Sequence, residues 1–341
     1  MKPRNIMIMA AVVVVLLAVS MFQKMSHRRS VASSDTSALF DISFEGQEIN
    51  RIVVARGEGD STRVVLERLP DRWVARSAWS QPADSRKVEE LLDALDGLRG
   101  EFRSESAEVL TDYGLGPDAS PVVVTLYGAE WQELTSLELG DTPPSGTGVF
   151  VREPGSDAVY LCRTNVLGKL GMWQGPADPQ NHNFLDLKVH ACERQDIEAI
   201  RLHVGDKPSL SMEKVFAAPD STGTVDKSTW EWVLVEPERR PLAKSKVDAI
   251  MTALTSVQAA DVADPKGSWE DYGLWKADRR VEIALADGTD FELRFGAARP
   301  AADGKPDGVY TMTSNDTTVW VVKGFKADSI FKDLESLLPE E

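Results

Sequence analysis

Asp-Tyr-Gly-Leu occurs twice in this chain, at Asp112–Leu115 and again at Asp271–Leu274, 159 residues further on. A carboxylate beside a phenol is the raw material of a proton relay or a polar binding corner. Two copies would make a paired active site or a ligand clamp. The same residues also suit a purely structural device. A glycine just past a short helix can take the left-handed conformation that ends it, with the next apolar residue turned inward. On this second reading Asp264 caps the helix of the second copy, with Pro265 at its first position, and Ser104 or Ser106 caps the first. Tyr113 and Tyr272 then lie beside the core, Leu115 and Leu274 plug it, and Asp112 and Asp271 are exposed or capping. Gly114 and Gly273 are the residues expected at positive φ. The structural reading is favoured, because the residues that follow differ (Gly116 against Trp275) while the backbone device is shared.

Other reactive residues are sparse. Cys162 and Cys192 are the only cysteines. They could pair in an oxidising compartment, or Cys162 could be a small apolar residue of a strand. His182, His190 and Cys192 are close in sequence but lack the spacing of a zinc site. His27 and His203 stand alone. The chain has no phosphate loop, no Gly-x-Ser-x-Gly, no His-Glu-x-x-His and no pair of Cys-x-x-Cys knuckles. "GEGDST" (57–62) reads as a hairpin turn between strands. No catalytic residue, cofactor or metal is therefore expected. Trp73, Trp232 and Trp320 fall in strand patterns and are expected in the core. Trp79, Trp131, Trp173, Trp269 and Trp275 fall in turns or loops. There they either cover sheet edges or meet a sugar or protein partner. Trp131 and Trp173 are the candidates for a partner contact, and the loop 170–183 is the best place to seek one.

The elements that would position these residues are themselves duplicated. "RKVEELLDALDGL" (86–98) aligns without a gap on "SKVDAIMTALTSV" (245–257). The same offset of 159 pairs Trp73 with Trp232 and Pro82 with Pro241. At an offset of 160, "GVFVREPGSDAVYLCR" (148–163) aligns on "GVYTMTSNDTTVWVVK" (308–323). Each copy opens alike, with "INRIVV" (49–54) and "IEAIRL" (197–202). The second carries a loop insertion before Trp232. Within a copy, short runs that alternate apolar and polar residues predict antiparallel strands. Val88, Leu91, Leu92, Leu95 and Leu98 fall at helical spacing, as do Val247, Ile250, Met251, Leu254 and Val257. One unit is thus three strands, an amphipathic helix and four strands, an α+β arrangement with a mainly antiparallel sheet. "ADGTD" (286–290) predicts a hairpin turn at Asp287-Gly288.

In this order the motifs resemble the domain-of-unknown-function family 4340: an opening strand, a Trp strand ("RWVAR"), a Pro-led helix, a Tyr-Gly-Leu turn and a Gly-Val-Tyr-type strand pair. The resemblance spans roughly residues 45–335. It implies a bacterial envelope protein with an N-terminal membrane anchor and a body outside the cytoplasm. It also implies genes often placed near gliding-motility-type ABC transporter components. It brings no catalytic residues.

The N-terminus fits that expectation. Ile6–Phe22 is an uncharged apolar run, flanked by Lys2, Arg4, Lys24, Arg28 and Arg29. It predicts a single-pass signal anchor at the short end of what spans a bilayer, with a cleaved signal peptide as the alternative. The flanking charges leave orientation open. The expected layout is an anchor (1–25), a flexible tether (26–38), a first repeat (39–190) and a second (191–341). A net charge of −16 argues against nucleic acid as a partner. The favoured function is a non-catalytic accessory or scaffold of an ABC-transporter or motility-like complex. The alternative is a module that binds peptidoglycan or another polysaccharide.

Overall fold

The computed structural model describes residues 36–38, 48–57, 63–116, 118–144, 146–216, 230–300 and 306–339. The expected anchor at 6–22 lies outside them. Among the described residues no helix is long and apolar enough to cross a membrane. Contacts divide the chain into two compact units, residues 1–71 with 85–180 and residues 72–84 with 181–341. The segment 72–84, which the repeat alignment assigns to the first copy, is thus grouped with the second unit. So is the link from residue 181.

The strands in chain order are β1 (Thr36–Ala38), β2 (Arg51–Arg56), β3 (Arg63–Arg68), β4 (Trp73–Ala75), β5 (Gln81–Pro82), β6 (Arg99–Ser104) and β7 (Val122–Tyr127). Then come β8 (Glu133–Leu139), β9 (Val149–Arg152), β10 (Val159–Cys162), β11 (Lys188–Ala191), β12 (Ile197–Val204), β13 (Leu210–Phe216) and β14 (Trp230–Glu236). The last are β15 (Arg240–Pro241), β16 (Ser256–Gln258), β17 (Asp261–Val262), β18 (Arg279–Leu285), β19 (Asp290–Pro300), β20 (Pro306–Thr313) and β21 (Trp320–Val322). The α-helices are α1 (Ser85–Leu95), α2 (Val166–Lys169), α3 (Lys244–Leu254), α4 (Gly324–Ile330) and α5 (Leu334–Leu337). The architecture is α+β, with large antiparallel sheets and few helices, as expected.

In the first unit the sheet runs β1-β6-β10-β9-β8-β7-β2-β3. β1 takes up the last three residues of the expected tether and pairs with β6. The second unit's sheet contains β17-β21-β20-β19-β18-β12-β13, followed by β14 and β15. Strand for strand this is the order of the first unit from β6 to β3. The register repeats as well. Val149, Phe150 and Val151 face Cys162, Leu161 and Tyr160. Their counterparts Val309, Tyr310 and Thr311 face Val322, Val321 and Trp320. The hairpin β4–β5 pairs Val74 with Pro82, and β14–β15 pairs Val233 with Pro241. One offset in sequence becomes one register in space, which establishes a duplicated unit.

The helices appear where apolar spacing put them. α1 buries Val88, Leu91 and Leu95, and α3 buries Val247, Ile250, Met251 and Leu254. Removing side chains of this size from water supplies about 1.5–3 kcal/mol each. Trp73, Trp232 and Trp320 are buried as expected. The turn after β18 holds Gly288 at φ +84. Asp287 does not share the left-handed conformation. Its carboxylate accepts from the Thr289 N–H and hydroxyl at 2.9 and 2.6 Å. β6 has no counterpart among the expected strands. Arg99, Glu101 and Arg103 line one face of it and Gly100, Phe102 and Ser104 the other, so a single large apolar residue leaves hydrophobic periodicity with nothing to detect.

Candidate functional site

Both Asp-Tyr-Gly-Leu copies build the same corner. In the first, a 3-10 helix (Ala107–Tyr113) ends at Gly114, with φ +68 and ψ +23. The Gly114 N–H donates to the Thr111 carbonyl at 3.1 Å, and Leu115 N–H to Leu110 at 3.0 Å. In the second, Gly273 stands at φ +66. Its N–H donates to Glu270 at 3.0 Å, and Leu274 N–H to Trp269 at 2.7 Å. The bonds match position for position. Leu115 and Leu274 are fully buried.

Each corner is then pinned by a neighbouring strand, at the end of β8 in the first unit and at an irregularity within β19 in the second. The Tyr113 carbonyl accepts from Asp141 N–H, and the Tyr272 carbonyl from Ala297 N–H, both at 2.8 Å. The residue before each donor is a glycine, Gly140 or Gly296, and a Cβ there would collide with that tyrosine carbonyl. The rings are matched too. Tyr113 meets Phe150 with centroids 4.7 Å apart, and Tyr272 meets Tyr310 at 4.5 Å. Leu115 clusters with Val159, and Leu274 with Val319. Sequence alone placed Gly114, Gly273, Tyr and Leu in these roles. It missed the receiving glycines, although "LELG" and "LRFG" both ended strands in the alignment.

The capping expectation needs correction. Residues 265–273 form successive turns, and Asp264 caps no helix. Its carboxylate accepts from the Lys266 N–H at 2.9 Å, within a local turn. The cap is instead reciprocal. Asp271 accepts from the Ser268 N–H (2.9 Å) and hydroxyl (2.7 Å), while Asp271 N–H donates to the Ser268 hydroxyl oxygen at 3.1 Å. These bonds hold the Asp271 carboxyl below its ordinary range. In the first copy Ser106 sits at the cap position without a side-chain cap bond. The Ser104 hydroxyl oxygen accepts from the Ser106 N–H at 3.3 Å. Asp112 is exposed. The Tyr272 hydroxyl donates to the Asp264 carbonyl, and burial pushes its pKa up. Asp271 and Tyr272 thus face their own turn, while Asp112 is exposed and the Tyr113 ring packs on Phe150.

The disulfide that the cysteine count left open is not formed. Cys162 and Cys192 are both free thiols. Cys162 is sealed inside the first unit, where burial pushes its thiol up to about 12. Cys192 belongs to the second unit and is half-buried. Its thiol is also raised, by burial first and then by Asp196 and Glu193. His190 stacks on Phe291 at 3.7 Å and holds its Nε2 buried without a partner. Burial, with help from Lys188, lowers its pKa. Among the described residues no group of three or more His, Cys, Asp or Glu side chains could hold a metal ion.

One polar trio was not foreseen. His203 Nε2 lies 3.0 Å from Glu282 Oε1, and its Nδ1 lies 2.8 Å from the Ser209 hydroxyl. Serine, histidine and carboxylate suggest a nucleophile with its base. Here, however, the ring bridges β18 and the start of β13 as a cross-strand clamp. The carboxylate is on the nitrogen that a triad gives to serine. The loop tryptophans divide. Trp173 is 78% exposed and Trp131 51%. Trp79, Trp269 and Trp275 are also exposed.

A family model described as a domain of unknown function (DUF4340) matches residues 73–222 and 232–338. The two matched stretches begin at the equivalent Trp73 and Trp232, and the first runs on through the opening strand of the second copy. No curated protein and no solved structure matches the chain.

Proposed function

The chain belongs to the domain-of-unknown-function family DUF4340, and on that premise we propose a non-catalytic, membrane-anchored accessory or scaffold of an ABC-transporter or gliding-motility-like complex. The apolar run Ile6–Phe22 would anchor it in the inner membrane, with the duplicated body in the periplasm. The carrying observation is a solvent-exposed aromatic ring in or just after the helix that follows the last long strand of each unit, although the two rings are not at aligned positions. Trp173 follows α2, the helix after β10, and is 78% exposed; Phe325 lies in α4, the helix after β21, and is 71% exposed. Large apolar side chains in water are costly unless a partner covers them, and aromatics are enriched in the centres of protein interfaces. The chain's net charge of −16 suits a partner face with basic residues. Crosslinking in intact cells, followed by purification from detergent-solubilised membranes, tests the reading. It expects ABC-transporter subunits with the native chain and much reduced recovery with Trp173→Ala and Phe325→Ala together. Recovery of the chain alone would overturn it.

A further inference from the structure

Trp131 is held out by an unusual turn beside a polar hollow. β7 and β8 are joined through Gly128–Gln132, closed by the Gly128 N–H on the Gln132 carbonyl at 3.0 Å. Inside it Glu130 and Trp131 both stand at positive φ, +57° and +63°. Side chains with a Cβ are strained there, and hairpins normally use Gly, Asn or Asp. The turn accepts this strain and leaves the indole half in solvent. The Arg51 guanidinium carbon lies 5.3 Å from the ring centroid. Arg51 thereby fixes the ring in place through a cation–π contact.

Next to the ring is a hollow of about 370 Å³, with Glu48, Asn50, Glu67, Arg68 and Glu130 on its polar side and Leu69, Pro70, Gly128 and Trp131 completing it; Arg68 Nη1 lies 3.9 Å from Glu48 Oε1. This volume is within the range of small-ligand sites. Carboxylates offer acceptors, a guanidinium donors and an amide both. That mixture suits a ligand whose groups donate and accept at once, as hydroxyls do. Three carboxylates oppose an anion. An indole face suits the flat C–H surface of a pyranose.

We propose that this corner of the first unit binds a neutral saccharide, with the pyranose stacked on Trp131 and its hydroxyls on the polar wall of the hollow. Trp173, though more exposed, is no part of the site. The test uses the full chain in detergent micelles. Probes are a neutral tetramer of N-acetylglucosamine, a neutral tetramer of glucose, a tetramer of galacturonate and a tetralysine peptide, each titrated by calorimetry. At least one neutral tetramer should bind saturably, at least tenfold more weakly in Trp131→Ala and clearly more weakly in Asn50→Ala, and unchanged in Trp173→Ala. Hydrogen exchange should show the variants folded, since Trp131 is exposed and Asn50 is only half-buried. Failure of both neutral tetramers to bind, equal binding by Trp131→Ala, or tighter binding of galacturonate or tetralysine would overturn the proposal. None of these outcomes bears on transporter recovery through Trp173 and Phe325.

Discussion

Replacing Gly114 by alanine separates two costs that the corner imposes. The first is conformational. Gly114 sits at φ +68, where an L-residue costs about 1–2 kcal/mol. The second is steric. A Cβ would stand 2.6 Å from Asp141 Cγ and 2.8 Å from Asp141 N. The side chain can swing away, but the backbone nitrogen cannot, because it is bonded to the Tyr113 carbonyl. Overpacking of this kind costs about 1–3 kcal/mol. The expected total is about 2–5 kcal/mol. Gly57 is the internal control in the same unit. Its φ is +67, yet a Cβ there meets nothing within 4 Å. Gly57→Ala should therefore lose only the conformational part, about 1–2 kcal/mol. In the second unit Gly273→Ala and Gly288→Ala form the same pair, with Ala297 N at 2.8 Å from the added carbon in one and open space in the other. Amide hydrogen exchange read separately over each unit is the assay, since it reports local opening free energies without assuming a single transition. Each corner variant should raise opening in its own unit and exceed its control by at least about 1 kcal/mol. Equal losses at Gly114 and Gly57 would refute the close packing of Gly114 against Asp141.

Further expectations concern the thiols, the acids and the buried histidine. Thiol alkylation of the non-reduced chain should add two labels after denaturation and almost none at Cys162 in the folded state, because its thiol is raised to about 12; a chain that takes up no label when unfolded would contain the disulfide after all. The Asp271 carboxyl is held low by Ser268, so its contribution is present above the unfolded value near pH ~4 and lost as pH falls through the folded one. Ser268→Ala should shrink the acid sensitivity of the second unit below about pH 4, and an unaltered acid limb would count against the cap. His190 is disfavoured as a cation by burial, so stability is full above about pH 6.5 and declines as pH falls toward the lowered folded value. His190→Phe should flatten that slope in the second unit, and a slope that persists would place its origin elsewhere.

Much of this architecture was legible because it was written twice. An offset of 159–160 residues marked equivalent positions, and alternation or helical spacing then gave the element type. The corner was legible because only glycine tolerates its backbone and only an apolar residue follows it inward. Three things were not. β6 carries one large apolar residue, Phe102, so periodicity did not see it. Gly140 and Gly296 receive a carbonyl from a distant turn, and nothing local distinguishes them from ordinary strand-end glycines. The strained turn at Glu130-Trp131 has no turn-forming residue at its two left-handed positions, and Gly128 alone does not announce them. The grouping of 72–84 with the second unit is likewise a matter of long-range contacts, including the Ala83–Leu185 bridge and the Asp84 N–H on the Phe184 carbonyl at 2.8 Å. The candidate site was legible as a motif but not as a ligand site, since Asp271 turns back onto Ser268 and Asp112 lies exposed.

The central claim is that the repeated motif holds the fold while the exposed aromatics meet the partner. The most direct measurement takes hydrogen exchange and crosslinked-partner recovery on the same preparations of two variants, Gly114→Ala and the Trp173→Ala, Phe325→Ala double substitution. The predicted result is a crossed pattern. The glycine variant opens more readily yet recovers transporter subunits in proportion to its folded fraction, and the aromatic variant exchanges like the native chain yet recovers few. A glycine variant of unchanged stability that lost its partner, or an aromatic variant that kept it, would contradict the account.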